Sequence, residues 1–276
     1  LLYLVQALPG GLQTRFLPIF FRKNGMSLVN LGFYRCLLIP WVFKPLLVTI
    51  VDTHFNKRSW LKGSEIIMLF LCIIAANLPA GHNIYLVLVL FLINCTTSVQ
   101  DIALDGIILE SMTPSALVSG NFAQNVGGRV GSMFAGGFFA SLIDTVSLKN
   151  MFYIMAVLYL GGFFISYALP PPSLRGSLAI SGSNTSYTSD GASNDQEDSL
   201  THLSCQYFQL FQTAGTIWMT IFLFFYKMGD SGVTSTFPMF LIDIGHGASH
   251  VGMWTSLSGD VFSIIGSTAV GIFTAG

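Results

Sequence analysis

The sequence predicts an all-α, multi-pass membrane protein, and three observations carry that prediction. Of 276 residues, 52% are hydrophobic and only 9% are charged, against about 25% charged in an ordinary soluble domain; the mean hydropathy is +0.66. The apolar residues come in long runs, and a run of about 18 or more with few charges spans a bilayer. Those runs are too long and too continuously apolar for barrel strands, so helices are left as the structure that satisfies its backbone in lipid.

The runs divide into about eight helical spans. The first covers Leu1 to Phe21, the second Leu28 to Val51, and the third Gly63 to Pro79. The fourth extends from Ile84 to Ser111, the fifth from Ser115 to Ile143, and the sixth from Asn150 to Leu169. The seventh lies within Gln212 to Ile242, and the eighth begins near His250. Both ends of the chain fall inside apolar runs, so the sequence reads as a fragment of a longer protein, and its first residues do not resemble a signal peptide.

Composition changes abruptly after the sixth span. Pro170, Pro171 and Pro172 stop the helix, because proline lacks the backbone donor and clashes with the preceding turn. The following stretch is rich in Ser, Gly, Asn and Thr, with Asp190, Asp195, Glu197 and Asp198 against Arg175. It cannot bury enough apolar surface to order itself. The expected organisation is a six-helix bundle over residues 1–170 with a truncated first helix, a flexible cytoplasmic linker over 171–205, and the truncated start of a second bundle over 206–276. Lys57, Arg58 and Lys62 place the loop after the second span on the cytoplasmic side. Asn184-Thr185-Ser186 in the linker then matches a glycosylation signal that stays unused.

Several function classes drop out. The net charge is −1 and the basic residues form no periodic face, so no nucleic-acid partner is expected. Cys36, Cys72, Cys95 and Cys205 form no ligand spacing, so neither a metal site nor a disulfide framework is expected, and no cofactor is expected either. Gly127 and Gly131 form a G-x-x-x-G step that suits close helix packing. A phosphate-binding glycine loop needs a preceding strand that this sequence lacks. Gly245-His246-Gly247 and His250 read as a solvated turn.

The informative residues are the ionisable ones inside the spans. Each costs about 2.5–3.5 kcal/mol to insert near the bilayer centre, so each tends to face a partner or a water-filled path. They are Arg15, Arg35, Lys44, Asp101, Asp105, Arg129, Lys227, Asp230 and Asp260. Asp101 and Asp105 lie four apart on one helix face. Two carboxylates there repel in low dielectric unless one holds a proton or both meet a cation, for which Arg129, Arg35 and Lys44 are candidates. They read equally as a proton-coupling pair and as a buried ion pair locking helices. Lys227 and Asp230 also share a face, as a self-neutralising pair or as a cavity lysine tuned by its neighbour. Asp230-Ser231-Gly232, Thr236 and Pro238 predict a weakened helix there, where transporters tend to build sites.

The motifs resemble a known family. Tyr3 to Gly10, Leu17-Pro18, Pro40-Trp41, Lys44, Val51-Asp52, Gln100 to Gly106 and Tyr226 to Asp230 occur in the order seen in one branch of the major facilitator superfamily. That branch joins the AmpG muropeptide permeases to the acetyl-CoA transporters, and the chain looks most like its "major facilitator superfamily domain-containing protein 3" group. Ala7 stands where the family usually has glycine, and Leu47 and Thr49 stand where a Trp-x-Pro usually precedes the aspartate matching Asp52, with Pro45 occurring instead. The resemblance implies a major facilitator-type helix bundle of twelve helices in two six-helix halves around a central cavity, of which this fragment holds about eight.

The expected function is secondary active transport of an anionic metabolite, acetyl-CoA-like and proton-coupled, by alternating access in a monomer. The partners would be that small anion, protons and the lipid bilayer. Arg15, Arg35, Lys44, Arg129 and Lys227 are the candidate substrate-binding cations; Asp101, Asp105 and Asp230 are the candidate coupling or ion-pairing carboxylates, with Asp260 as an addition. Two alternatives are a non-transporting sensor on the same fold and an intramembrane aspartyl protease. The protease would need G-x-G-D, where Lys227 and Leu257 replace the first glycine. The sequence therefore favours no enzymatic activity.

Overall fold

The computed structural model describes residues 1–53, 55–78, 83–111, 117–168 and 215–275. The expected linker over 171–205, the sequon at Asn184 and Cys205 lie outside the described residues. Among those described every regular element is helical, and the protein is an all-α membrane protein.

The first span is α1 (Leu2–Gly11), a π-helical turn (Leu12–Phe16) and α2 (Leu17–Lys23). Pro9 lies inside α1, where its missing donor opens the ladder one turn ahead of the π turn, and Pro18 lies in the first turn of α2. Gly25, at φ +84°, turns the chain, and the Ser27 hydroxyl caps α3 (Leu28–Tyr34). A 3-10 turn (Arg35–Leu38), α4 (Ile39–Val42) and α5 (Lys44–Thr53) complete the second span. It bends by 40° at Phe43. Pro45 lies in the first turn of α5, so it starts that helix rather than breaking one.

Asn56 caps α6 (Lys57–Asn77). Its buried residues are Leu61, Ser64, Glu65, Met68, Leu71, Cys72, Ala75 and Ala76, a stripe at helical spacing that faces the bundle. Then come α7 (Asn83–Ser111) and α8 (Leu117–Met133), followed by a second π-helical turn (Phe134–Phe138), α9 (Phe139–Ser141) and α10 (Leu148–Tyr167). The last elements are α11 (Thr216–Asp243) and α12 (Ala248–Ala275), joined by a turn around Gly245 at φ +104°.

The chain forms two packing units, Leu1–Ser177 with Pro238–Gly276, and Leu178–Phe237. In the first, α6 packs against α7 and α10, α1 against α8, and α12 against α8 and α9. Leu8, Leu12, Phe16, Met68, Phe139 and Tyr159 are fully enclosed in its core. The glycines of α8 make the expected close approach to α1: a Cβ on Gly131 would overlap the Leu4 carbonyl, and one on Gly127 would sit 3.1 Å from Tyr3 Cβ. The described part of the second unit is the first portion of α11, whose side chains are mostly exposed.

Among the described residues α6, α7 and α10 are each long and apolar enough to cross a membrane, and the bent α3–α5 segment makes a fourth. The first and fifth expected spans are divided by π turns into shorter helices. The two helices of 28 residues are α11, which carries Lys227 and Asp230 midway along it, and α12, which carries Asp260. The stretch from Asp230 to Pro238, expected to weaken the helix, lies within the continuous α11. Hydroxyls of Thr234 and Thr236 bond carbonyls one turn back, at 2.7 and 2.8 Å, and a single proline is tolerated in such helices.

Candidate functional site

Helix α7 distributes its polar residues over two faces. Asn94, Asp101 and Asp105 turn towards α1 and the α4–α5 segment, while Thr97 and Gln100 turn towards α6. Spacings of three, four and seven hold each set on its own face.

On the first face Asp101 is paired with Lys44 and accepts a hydrogen bond from Gln6 Nε2 at 2.8 Å. The Lys44 ammonium also lies 4.9 Å above the Trp41 ring, an attraction that helps hold a cation away from water. Trp41 Nε1 donates to Asn94 Oδ1 at 3.3 Å, and Asn94 Nδ2 donates to Gln13 Oε1 at 2.6 Å. Asp105, one turn beyond Asp101, accepts from Tyr3 Oη at 2.8 Å and Gln124 Nε2 at 2.9 Å. One member of the carboxylate pair therefore meets a cation and the other meets two neutral donors.

A second cluster forms around Asp260, whose side chain is 2% exposed. Arg15, carried on the π turn, grips it with both terminal nitrogens, one bond measuring 2.8 Å, and also donates to the Ser256 carbonyl at 3.0 Å. Arg129 Nη1 lies 3.8 Å from Asp260 Oδ1. Glycines make the room: a Cβ on Gly136 would sit 2.9 Å from Arg15 Cδ, and one on Gly137 would sit 3.2 Å from Ser256 Cβ. Two arginines thus share one aspartate, leaving one positive charge in excess. Their side chains are 31% and 38% exposed.

The other expected residues stand apart. Arg35 is exposed and forms no ion pair among the described residues. Lys227 and Asp230 pair with each other at 3.4 Å on an exposed face, the geometry of self-neutralisation. A mostly apolar cleft of about 320 Å³ lies near Asn30, Tyr34 and Val87. It contains no charged residue and is lined by neither cluster.

Sequence reasoning missed Glu65. It lies two residues into the expected third span, is fully enclosed, and accepts from Gln100 Nε2 at 2.9 Å. The signal was its place on the stripe of Leu61, Met68 and Cys72.

The sequence pattern of the BT1 family matches residues 27–226. The chain belongs to the BT1 family. That family is one of membrane transporters, which agrees with the apolar helices and the charges held between them. This BT1-family chain is also similar to an uncharacterized protein of Haemophilus influenzae, 24% identical over 249 residues, covering 86% of the chain and 55% of that protein. An uncharacterized protein of Schizosaccharomyces pombe is 30% identical over 139 residues, covering 46% of the chain and 27% of that protein. The BT1-family chain therefore spans about half of the first relative and about a quarter of the second.

Proposed function

We propose that the full-length protein is a secondary active transporter that moves an anionic metabolite by alternating access, with protons as the coupling ion. The observation that carries this reading is the excess positive charge where Arg15 and Arg129 share Asp260. A cation held in low dielectric without full compensation attracts an anion strongly. The exposed parts of both arginines supply planar donor forks suited to carboxylate or phosphate oxygens. Lys44, neutralised by Asp101, serves as a second contact once substrate competes for it. The likeness to the acetyl-CoA and muropeptide branch makes acetyl-CoA the first solute to test. On this reading the chain carries out no enzymatic reaction.

The test uses full-length protein, confirmed folded, in proteoliposomes, with uptake of external labelled acetyl-CoA measured with and without an imposed pH gradient. Uptake that follows the gradient and falls at least tenfold in Arg129→Gln supports the proposal. Uptake unchanged in that variant would exclude the Arg15–Arg129 pair as the anion site. No uptake by folded wild type would remove acetyl-CoA and direct the search to other anions.

A further inference from the structure

Helices α6, α7 and α10 enclose a carboxyl group that meets no cation. Glu65 is fully buried and lies roughly 12 Å along α6 from Lys57, at the helical rise of about 1.5 Å per residue. Its Oε1 accepts from Gln100 of α7. Gly162 of α10 makes space for it, since a Cβ there would sit 2.9 Å from Oε2. Tyr159, one turn earlier on α10, shares that face and is fully enclosed.

Among the described residues, three buried side-chain polar atoms lack a hydrogen-bond partner: Glu65 Oε2, Gln100 Oε1 and Tyr159 Oη. All three belong to this one interface. Unsatisfied buried groups are rare enough that each asks for a cause. An ionised carboxylate and an amide carbonyl are both acceptors, so neither satisfies the other. A proton on Oε2 changes this, because the acid O–H becomes the donor that the Gln100 carbonyl lacks. The amide N–H to Oε1 and the acid O–H to the amide oxygen then form a closed acid–amide pair.

The surrounding charges do not favour the ionised form. From α7 the facing groups are Gln100 and Thr97, both neutral. From α10 they are Gly162 and the Tyr159 phenol. On α6 itself Cys72 is enclosed two turns away, and Lys62 directs its ammonium over the Tyr167 ring at 4.7 Å. From α5, Asp52 pairs with Lys57 at 3.3 Å. No basic side chain among the described residues forms an ion pair with Glu65. Asp101 differs, since Lys44 and Gln6 both stabilise its charge.

We propose that Glu65 is a proton-binding site of this bundle: a carboxylic acid at neutral pH, closed with Gln100, that exchanges its proton when α6, α7 and α10 part to admit water. Its use in coupling rests on the transporter reading above; its protonation does not. In that use Glu65 loads and releases the proton, while Asp101 remains the counter-ion of Lys44. Intramembrane carboxyls serve as proton relays because the neutral form crosses low dielectric at little cost.

The test is infrared spectroscopy of folded, full-length protein in lipid at neutral pH, with no substrate present, so it is decided even if acetyl-CoA is not carried. The protonated-carboxyl stretch should be present in wild type, lost in the isosteric Glu65→Gln variant, shifted in Glu65→Asp, and retained in Asp101→Asn. Transfer to deuterated buffer should shift the Glu65 band with time. A spectrum unchanged by Glu65→Gln would show the group ionised and overturn the proposal. A Glu65 band that never shifts in deuterated buffer would show a trapped structural proton and overturn its role as a carrier.

Discussion

Replacing Asp260 by asparagine tests how far the first helix depends on α12. Asp260 receives two bonds from the Arg15 fork and is 2% exposed, while Arg15 is 31% exposed and keeps its bond to the Ser256 carbonyl. Removing one partner of a fully buried pair costs about 3–5 kcal/mol. The exposed third of Arg15 and the one oxygen that asparagine still offers reduce this to roughly 2–3 kcal/mol. That is about a 30-fold loss in the folded-to-unfolded ratio or more. Arg15→Met should cost at least as much, because it strands the more deeply buried charge with only Arg129 at 3.8 Å. The double variant Arg15→Met/Asp260→Leu should return to within roughly 1 kcal/mol of wild type, since apolar replacement of a buried pair is often neutral. The assay is detergent-driven unfolding of full-length protein in mixed micelles, followed by tryptophan fluorescence. Single variants that each cost under about 0.5 kcal/mol and combine additively would refute the coupling.

Other outcomes follow from the same geometry. Gly131→Ala should cost roughly 1–3 kcal/mol, because its Cβ meets the rigid Leu4 carbonyl; equal folded yield in size-exclusion chromatography would show that α1 and α8 can separate. Lys44→Met should lower transport at least tenfold while Lys44→Arg keeps part of it, and equal rates for all three proteins would remove Lys44 from the pathway. Arg22→Gln should change stability by only about 0–1 kcal/mol, because Arg22 and Asp243 pair across 2.7 Å on a partly exposed face; a larger thermal shift would assign that pair a locking role. Lys227→Gln should leave folding nearly unchanged, as an exposed pair three residues apart contributes about 0.2–0.5 kcal/mol.

The helices were legible in the sequence because hydropathy reports the solvent directly. The intramembrane charges were legible for the same reason: each is costly to insert. Their partners were not, because periodicity gives the face on which a residue lies but not which helix will cover that face. Lys44 was one of three candidates for the aspartate pair, and the fold brings it to Asp101 alone. Arg129 goes to Asp260 and Arg35 to neither. The stretch expected to weaken α11 is helical all the same, since one proline is tolerated in such helices and Ser, Thr and Gly do not by themselves end one. Glu65 sits near the start of the third span, close to the basic loop of Lys57, Arg58 and Lys62, and only its place on a buried stripe at helical spacing marks it as inward.

The union of Arg15 with Asp260 also sets an order on biogenesis. The two residues are 245 positions apart, so at a synthesis rate of about 5–20 residues per second the arginine precedes its counter-ion by roughly 12–50 s. Arg129 also enters before Asp260 exists. Arg15 waits alone until Arg129 is made, and over the remaining stretch of synthesis two arginines precede the one acid they share. Until α12 is made, the Arg15 guanidinium lacks the aspartate that holds it in the folded chain.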